Sequence, residues 1–140
     1  RDSGAIMVGG GGPPGGDDAL AWVTFGSSYG SRVDLQGWYY GIATTSYDPD
    51  ADPYCSRPDL FFADGDQAYT SDFGGTSGAS PMVAAAAVVA NSVAWSVRGE
   101  PWDPMELRAA LVATGTPQRG EEHIGPQVDL RAFLRTWGWR

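Results

Sequence analysis

Cysteine and histidine are almost missing from this sequence: Cys55 and His123 stand alone among 140 residues. One cysteine excludes an internal disulfide, and without other Cys or His at ligand spacing no tetrahedral zinc site can be assembled. Basic residues are scarce too. Nine Lys and Arg face seventeen Asp and Glu, a formal charge of −8, and no basic cluster offers a face to phosphates. Nucleic acid and anionic membranes are therefore not expected partners. The longest apolar run, Ala84 to Ala90 with its flanks, is too short and too rich in Ala for a bilayer-crossing helix, so no membrane span is expected. Arg1-Asp2-Ser3-Gly4 lacks the layout of a signal peptide and reads as the middle of a longer sequence.

What is present suffices for a core. With 42% hydrophobic residues and six Trp, the 140 residues fit one domain, and disorder is excluded. Ala5-Ile6-Met7-Val8 predicts a strand covered on both faces, followed by a glycine loop over Gly9 to Gly16. Gly10-Gly11-Gly12-Pro13-Pro14-Gly15 satisfies G-x-G-x-x-G by letter. Two prolines remove N–H donors where a pyrophosphate needs them, and Asp17-Asp18 would repel it, so a dinucleotide site is rejected. Leu20 to Phe25 predicts a second strand. Arg32 to Gln36 alternates as a half-buried strand with Val33 and Leu35 inward, and a short strand is expected around Ile42-Ala43-Thr44.

Residues 47–66 form an acidic, Pro-rich loop insertion around Cys55. Within it Asp48, Asp50 and Asp52 have the spacing of the first calcium-loop ligands, with Asp59 at the twelfth position. Pro53 stands where that loop needs Gly, and Asp59 where it needs Glu. The cluster reads as a solvated acidic loop, and no cofactor or metal is expected.

The chemistry concentrates at Phe73-Gly74-Gly75-Thr76-Ser77-Gly78-Ala79-Ser80-Pro81, which runs into an uncharged stretch ending near Val93. A glycine pair delivers a hydroxyl to the mouth of a helix, small neighbours leave room for approach, and the helix start aims free N–H groups at the same point. This arrangement suits acyl transfer. The helix is apolar or small all round, so it should be central and buried, with Pro81 within its first turn or so. Asp103-Pro104-Met105-Glu106 predicts an N-cap and first turn of a second helix burying Leu107, Ala110 and Leu111, with Gly115 as its C-cap. A last helix should start near Asp129 and bury Leu130, Phe133 and Leu134.

Gly75-Thr76-Ser77-Gly78-Ala79-Ser80-Pro81 resembles the nucleophile signature of the subtilisin-like serine peptidases, Gly-Thr-Ser-x-Ala-Ser/Thr-Pro, at every fixed position. Ala5 to Gly9, Ser27 to Gly30 and Val33-Asp34-Leu35 come in the order of that family's preceding segments, with Gly26 and Gln36-Gly37-Trp38 departing from its pattern. The resemblance implies an α/β fold: the C-terminal part of a subtilisin-like three-layer domain, residues 1–140, with a mostly parallel sheet completed by a separate N-terminal portion. It implies Ser77 as nucleophile on a polypeptide substrate, the Ser77 N–H as one oxyanion donor with Thr76 in support, and Gly75, Phe73 and Tyr69 along the substrate cleft. Structural calcium occurs in that family. So does secretion, and nothing else in the sequence bears on compartment.

A serine needs a base and the base an orienting acid. The resemblance puts the Asp, the His and an oxyanion Asn in the part preceding Arg1, so they are expected from an N-terminal fragment or partner chain, and this chain alone should be inactive. His123, in Glu121-Glu122-His123, is expected as a surface histidine beside carboxylates. Two alternatives remain. One is a non-catalytic subunit of the same fold. The other is an α/β-hydrolase using Ser77, Asp103 and His123 in that order, with Gly9 to Gly12 as its oxyanion loop; the polar run Tyr69 to Phe73 before the serine argues against it.

Overall fold

Glycines make most of the first strand. In the computed structural model, which describes residues 2–22, 26–45 and 69–137, β1 (Val8–Gly11) pairs in parallel with β2 (Leu35–Trp38), in register from Val8↔Leu35 to Gly11↔Trp38. The strand expected over Ala5 to Val8 thus begins only at Val8. Met7 is exposed, whereas the supposed loop residues Gly9 to Gly11 are buried. Neighbouring side chains fill the pleat across them: a Cβ on Gly9 would stand 3.0 Å from Val33 Cγ1 and 3.1 Å from Ile124 Cβ, and one on Gly10 would collide with the Tyr39 ring.

Val33 and Leu35 point inward as expected, but Gln36, the next residue after Leu35, is also fully buried. Alternation misleads here because both faces of this parallel pair are covered. Gln36 is tolerated because its Nε2 donates to Leu20 O (3.2 Å) and Gly125 O (2.9 Å). The strand expected from Leu20 does not form over the described part of that stretch: Leu20 adopts φ 64°, and Trp22 makes only an isolated bridge to Gly11. Residues 12–22 instead fold back on the end of β1, with Gly12 N donating to Ala21 O and Leu20 N to Gly12 O. Residues 23–25 lie outside the described residues, as does the 47–66 loop with Cys55, Asp48, Asp50, Asp52 and Asp59.

β3 (Ile42–Thr45) matches its expectation and pairs antiparallel with β4 (Tyr69–Phe73), with a bulge between the Ile42↔Phe73 and Thr44↔Thr70 pairs. β4 was hidden in the sequence by the polar run Thr70-Ser71-Asp72. The fold is mixed α/β, a parallel pair and an antiparallel hairpin with three helices.

α1 (Thr76–Arg98) lies against β1 and β2. Its inner face, Ala79, Val83, Ala86, Ala90 and Ala94, recurs at steps of three and four and is buried. The expectation of burial all round is not met: among the described residues nothing covers Val88, Val89, Trp95 and Val97, of which Val88 is 65% exposed. The helix is also longer than the run suggested. It has 23 residues, enough by length and composition to cross a membrane, although its Ala-lined face packs on the sheet. It ends at Gly99, whose φ of 75° supplies the left-handed cap.

α2 (Pro104–Thr114) starts as predicted, Asp103 Oδ1 accepting from Met105 N (2.8 Å) and Glu106 N (3.3 Å). Gly115 closes it in extended rather than left-handed conformation, and glycine is needed there for space, since a Cβ would press on Pro126 and Gln127. In α3 (Leu130–Trp137), Asp129 caps Ala132 N (2.8 Å) and Phe133 is buried. Leu35, Val83, Ala90, Leu107, Ala110, Leu111 and Phe133 form one core under α1.

Candidate active site

Two glycines convert a strand into a helix within a few ångströms. β4 ends at Phe73, Gly74 passes so close to Tyr40 that a Cβ would stand 3.1 Å from its Cα, and Gly75 takes φ 76°, ψ 179°, which a side chain would strain. Gly75 N donates to Tyr39 O at 2.6 Å, pinning the turn to the β2–β3 connection. α1 begins at the next residue.

Ser77 is therefore the second residue of α1, and it is exposed. Among the described residues its hydroxyl has no hydrogen-bond partner. Gly78 N and Ala79 N both donate to Gly75 O (3.0 and 3.3 Å), whereas the Thr76 and Ser77 N–H groups find no acceptor among the described residues. They point out of the positive end of a long helix dipole, where an oxygen anion forming beside Ser77 would be stabilised. Thr76 is half-buried, and its carbonyl accepts from Ser80 Oγ (2.8 Å). Pro81 is the sixth helical residue rather than a first-turn one, and it leaves Ser77 O without the usual i+4 donor.

The expected cleft residues separate. Gly75 and Phe73 flank the Ser77 turn, and Phe73 reaches under it: a Cβ on Gly78 would lie 3.5 Å from Phe73 Cε1. Tyr69 is four residues back along β4, about 13 Å at strand spacing, paired with Thr45 at the other end of the hairpin. Beside the serine turn a groove of about 600 Å³ runs between Thr76, Ser80 and Val83 of α1 and Ile6, Val8 and Ser28.

His123 and Asp103 are occupied elsewhere. The His123 Nε2 lies 3.0 Å from Val33 O, so its partner is a backbone carbonyl and not the neighbouring Glu121 or Glu122 carboxylates. Asp103 caps α2, and Gly9 to Gly11 belong to β1 and not to an oxyanion loop. Tyr40 OH, on the β2–β3 connection, bonds Asp18 Oδ1 at 2.5 Å, and the adjoining carboxylate pushes the phenol pKa up. The residues that sequence reasoning missed here are Gly37, Tyr39 and Ile42. They act through a missing side chain, a carbonyl oxygen and a terminal methyl, and Ile42 alone carried a signal, as a strand residue.

No family model matches this sequence, and no curated protein matches it. Among solved structures the chain is similar to the patellamide maturation protease PatA, with a TM-score of 0.62 and 19% identity over 95% of this chain and 43% of that one. The chain thus shares its fold with part of a protease structure and spans less than half of that protein's length.

Proposed function

We propose that this chain is the nucleophile-bearing part of a subtilisin-like serine endopeptidase, in the C-terminal part of a three-layer domain. The observation that carries the reading is Ser77 itself: an exposed hydroxyl at the second position of a long helix, next to an unengaged N–H, after a glycine at φ 76°. In the proposed reaction Ser77 Oγ attacks the scissile carbonyl carbon while a histidine takes its proton. The Ser77 N–H, with Thr76 in support and an Asn opposite, stabilises the oxyanion. The same histidine protonates the departing amine, and water then hydrolyses the acyl-enzyme.

The Asp, the His and the Asn come from an N-terminal portion or partner chain. Two features support this: the lone His123 is held by Val33 O, and the outer face of α1 with Val88, Val89, Trp95 and Val97 awaits cover of the kind a completed domain provides. The α/β-hydrolase reading lacks its acid, base and oxyanion loop, since Asp103, His123 and Gly9 to Gly11 serve the fold. That the Ser77 hydroxyl has no base among the described residues favours one second reading, a non-catalytic subunit of the same fold. No metal or cofactor enters either reading, the polypeptide substrate is the only ligand, and α1 is a core helix rather than a membrane span.

A fluorophosphonate probe separates the readings. Label should appear on Ser77 in the assembly that contains the N-terminal portion, not in this chain alone, and be lost in Ser77→Ala. An assembled, folded protein that takes no label would select the non-catalytic subunit. Esterase activity of the isolated chain abolished by His123→Ala would select the hydrolase.

A further inference from the structure

Gly78, next to the nucleophile, is buried in the first turn of α1, and the space its side chain would occupy is already taken. A Cβ there would overlap Ile42 Cδ1 and stand 3.5 and 3.6 Å from Phe73 Cε1 and Cδ1. Ile42 and Phe73 are paired across the β3–β4 hairpin, next to its bulge. A bulge re-aims the side chains beside it, and here it lies at the end of the hairpin that closes against the Gly78 α-carbon.

The same turn is gripped from two other directions. Gly75 N is bonded to Tyr39 O at 2.6 Å, and Gly37 of β2 approaches so closely that a Cβ would lie 2.8 Å from Ala79 Cα. Those two contacts are backbone against backbone. The Ile42 contact is made by the free end of a side chain, so it is the adjustable one of the three.

We propose that Gly78 and Ile42 are paired positioning residues for Ser77: the missing side chain at 78 lets the Ile42 methyl seat against the first turn of α1 and fix the direction of the Ser77 hydroxyl and N–H. Neither residue carries a reacting group. Their effect passes through the backbone between Ser77 and Ala79, where a displacement of about 1 Å at the reacting atom costs up to 100-fold in rate. The relevance to catalysis rests on Ser77 being the nucleophile; the geometric coupling does not.

The test uses Gly78→Ala, Ile42→Val, which removes only Cδ1, and the double variant. In the 140-residue chain, amide NMR should show Gly78→Ala shifting the Thr76 and Ser77 resonances and speeding hydrogen exchange of the Ala79 amide, with Ile42→Val added on top restoring both towards wild type. In the assembled peptidase, the fluorophosphonate labelling rate of Ser77 should fall on the order of 10- to 100-fold in Gly78→Ala and recover to within about threefold in the double variant. If Gly78→Ala does not fold, Ile42→Val alone decides: Ala79 exchange should quicken by about threefold or more. Unchanged Ser77 resonances, a double variant as displaced as the single one, or lost thermal stability with an unchanged labelling rate would each overturn the proposal. A wild-type assembly that takes no label sinks the peptidase reading instead, and leaves the NMR arm to judge the coupling.

Discussion

Gly37 of β2 lies directly beneath Ala79 of α1: a Cβ at position 37 would stand 2.5 Å from Ala79 O and 3.0 Å from its carbonyl carbon. The sheet and the helix that carries Ser77 touch here backbone to backbone. Gly37→Ala must push the first turns of α1 off the sheet, and overpacking of this kind costs about 1–3 kcal/mol. Denaturant unfolding should show that loss, and an unaltered midpoint would mean that the helix does not sit so close.

Gly75→Ala probes the turn itself. At φ 76°, ψ 179°, backbone almost reserved for glycine, an L side chain costs roughly 1–3 kcal/mol. The substitution should lower the thermal midpoint of the chain and, in the assembled protein, slow Ser77 labelling. A variant with both unchanged would contradict the observed glycine conformation.

Acid should release the segment before β1. Arg108 Nη1 and Nη2 meet both oxygens of Asp2 at 3.1 and 2.5 Å, and this hydrogen-bonded guanidinium, aided by Gly4 N, lowers the Asp2 pKa from 3.8 to about 2. A carboxyl whose folded pKa is depressed stabilises the fold above its unfolded pKa and loses that contribution as pH falls through the folded value. The window is thus pH 3.8 down to about 2. Unfolding midpoints of wild type and Asp2→Asn should differ at about pH 5 and converge near pH 2; a constant gap would assign the effect to something other than this carboxylate.

Among the described residues, one aromatic side chain is fully buried in the core under α1. Phe133 is 1% exposed and packs against Trp102 at 5.8 Å between ring centroids. Phe133→Ala should cost about 3–5 kcal/mol, measured by chemical denaturation, which is enough to unfold many domains of this size. A loss below about 1 kcal/mol would mean that α3 contributes little to the core.

The helical half of the fold was legible because its signals are local. Asp103-Pro104, the stripe Leu107-Ala110-Leu111 and Phe133 each declare a cap or a buried face by spacing alone. The sheet was harder. β1 is written in glycines whose space belongs to Val33, Ile124 and Tyr39, residues far off in the chain, and β4 contains the polar run Thr70-Ser71-Asp72, which becomes a strand only by pairing with β3. At the candidate site, Ser77 was readable as a side chain in a motif. The Tyr39 carbonyl, the Ile42 methyl and the empty space at Gly37 were not, because position 36 to 42 acquires meaning only once α1 lies on it.

The Thr45↔Tyr69 pair has a consequence for chain length. Thr45 and Tyr69 stand directly opposed, about 5 Å apart, so the hairpin holds these two ends of the chain together. Loop-closure entropy rises only with the logarithm of the number of residues joining such ends, so halving or doubling that number changes the cost of closing the hairpin by about 0.6 kcal/mol. Its far end, Ile42↔Phe73, keeps the register that faces Gly78 whatever is inserted at the other.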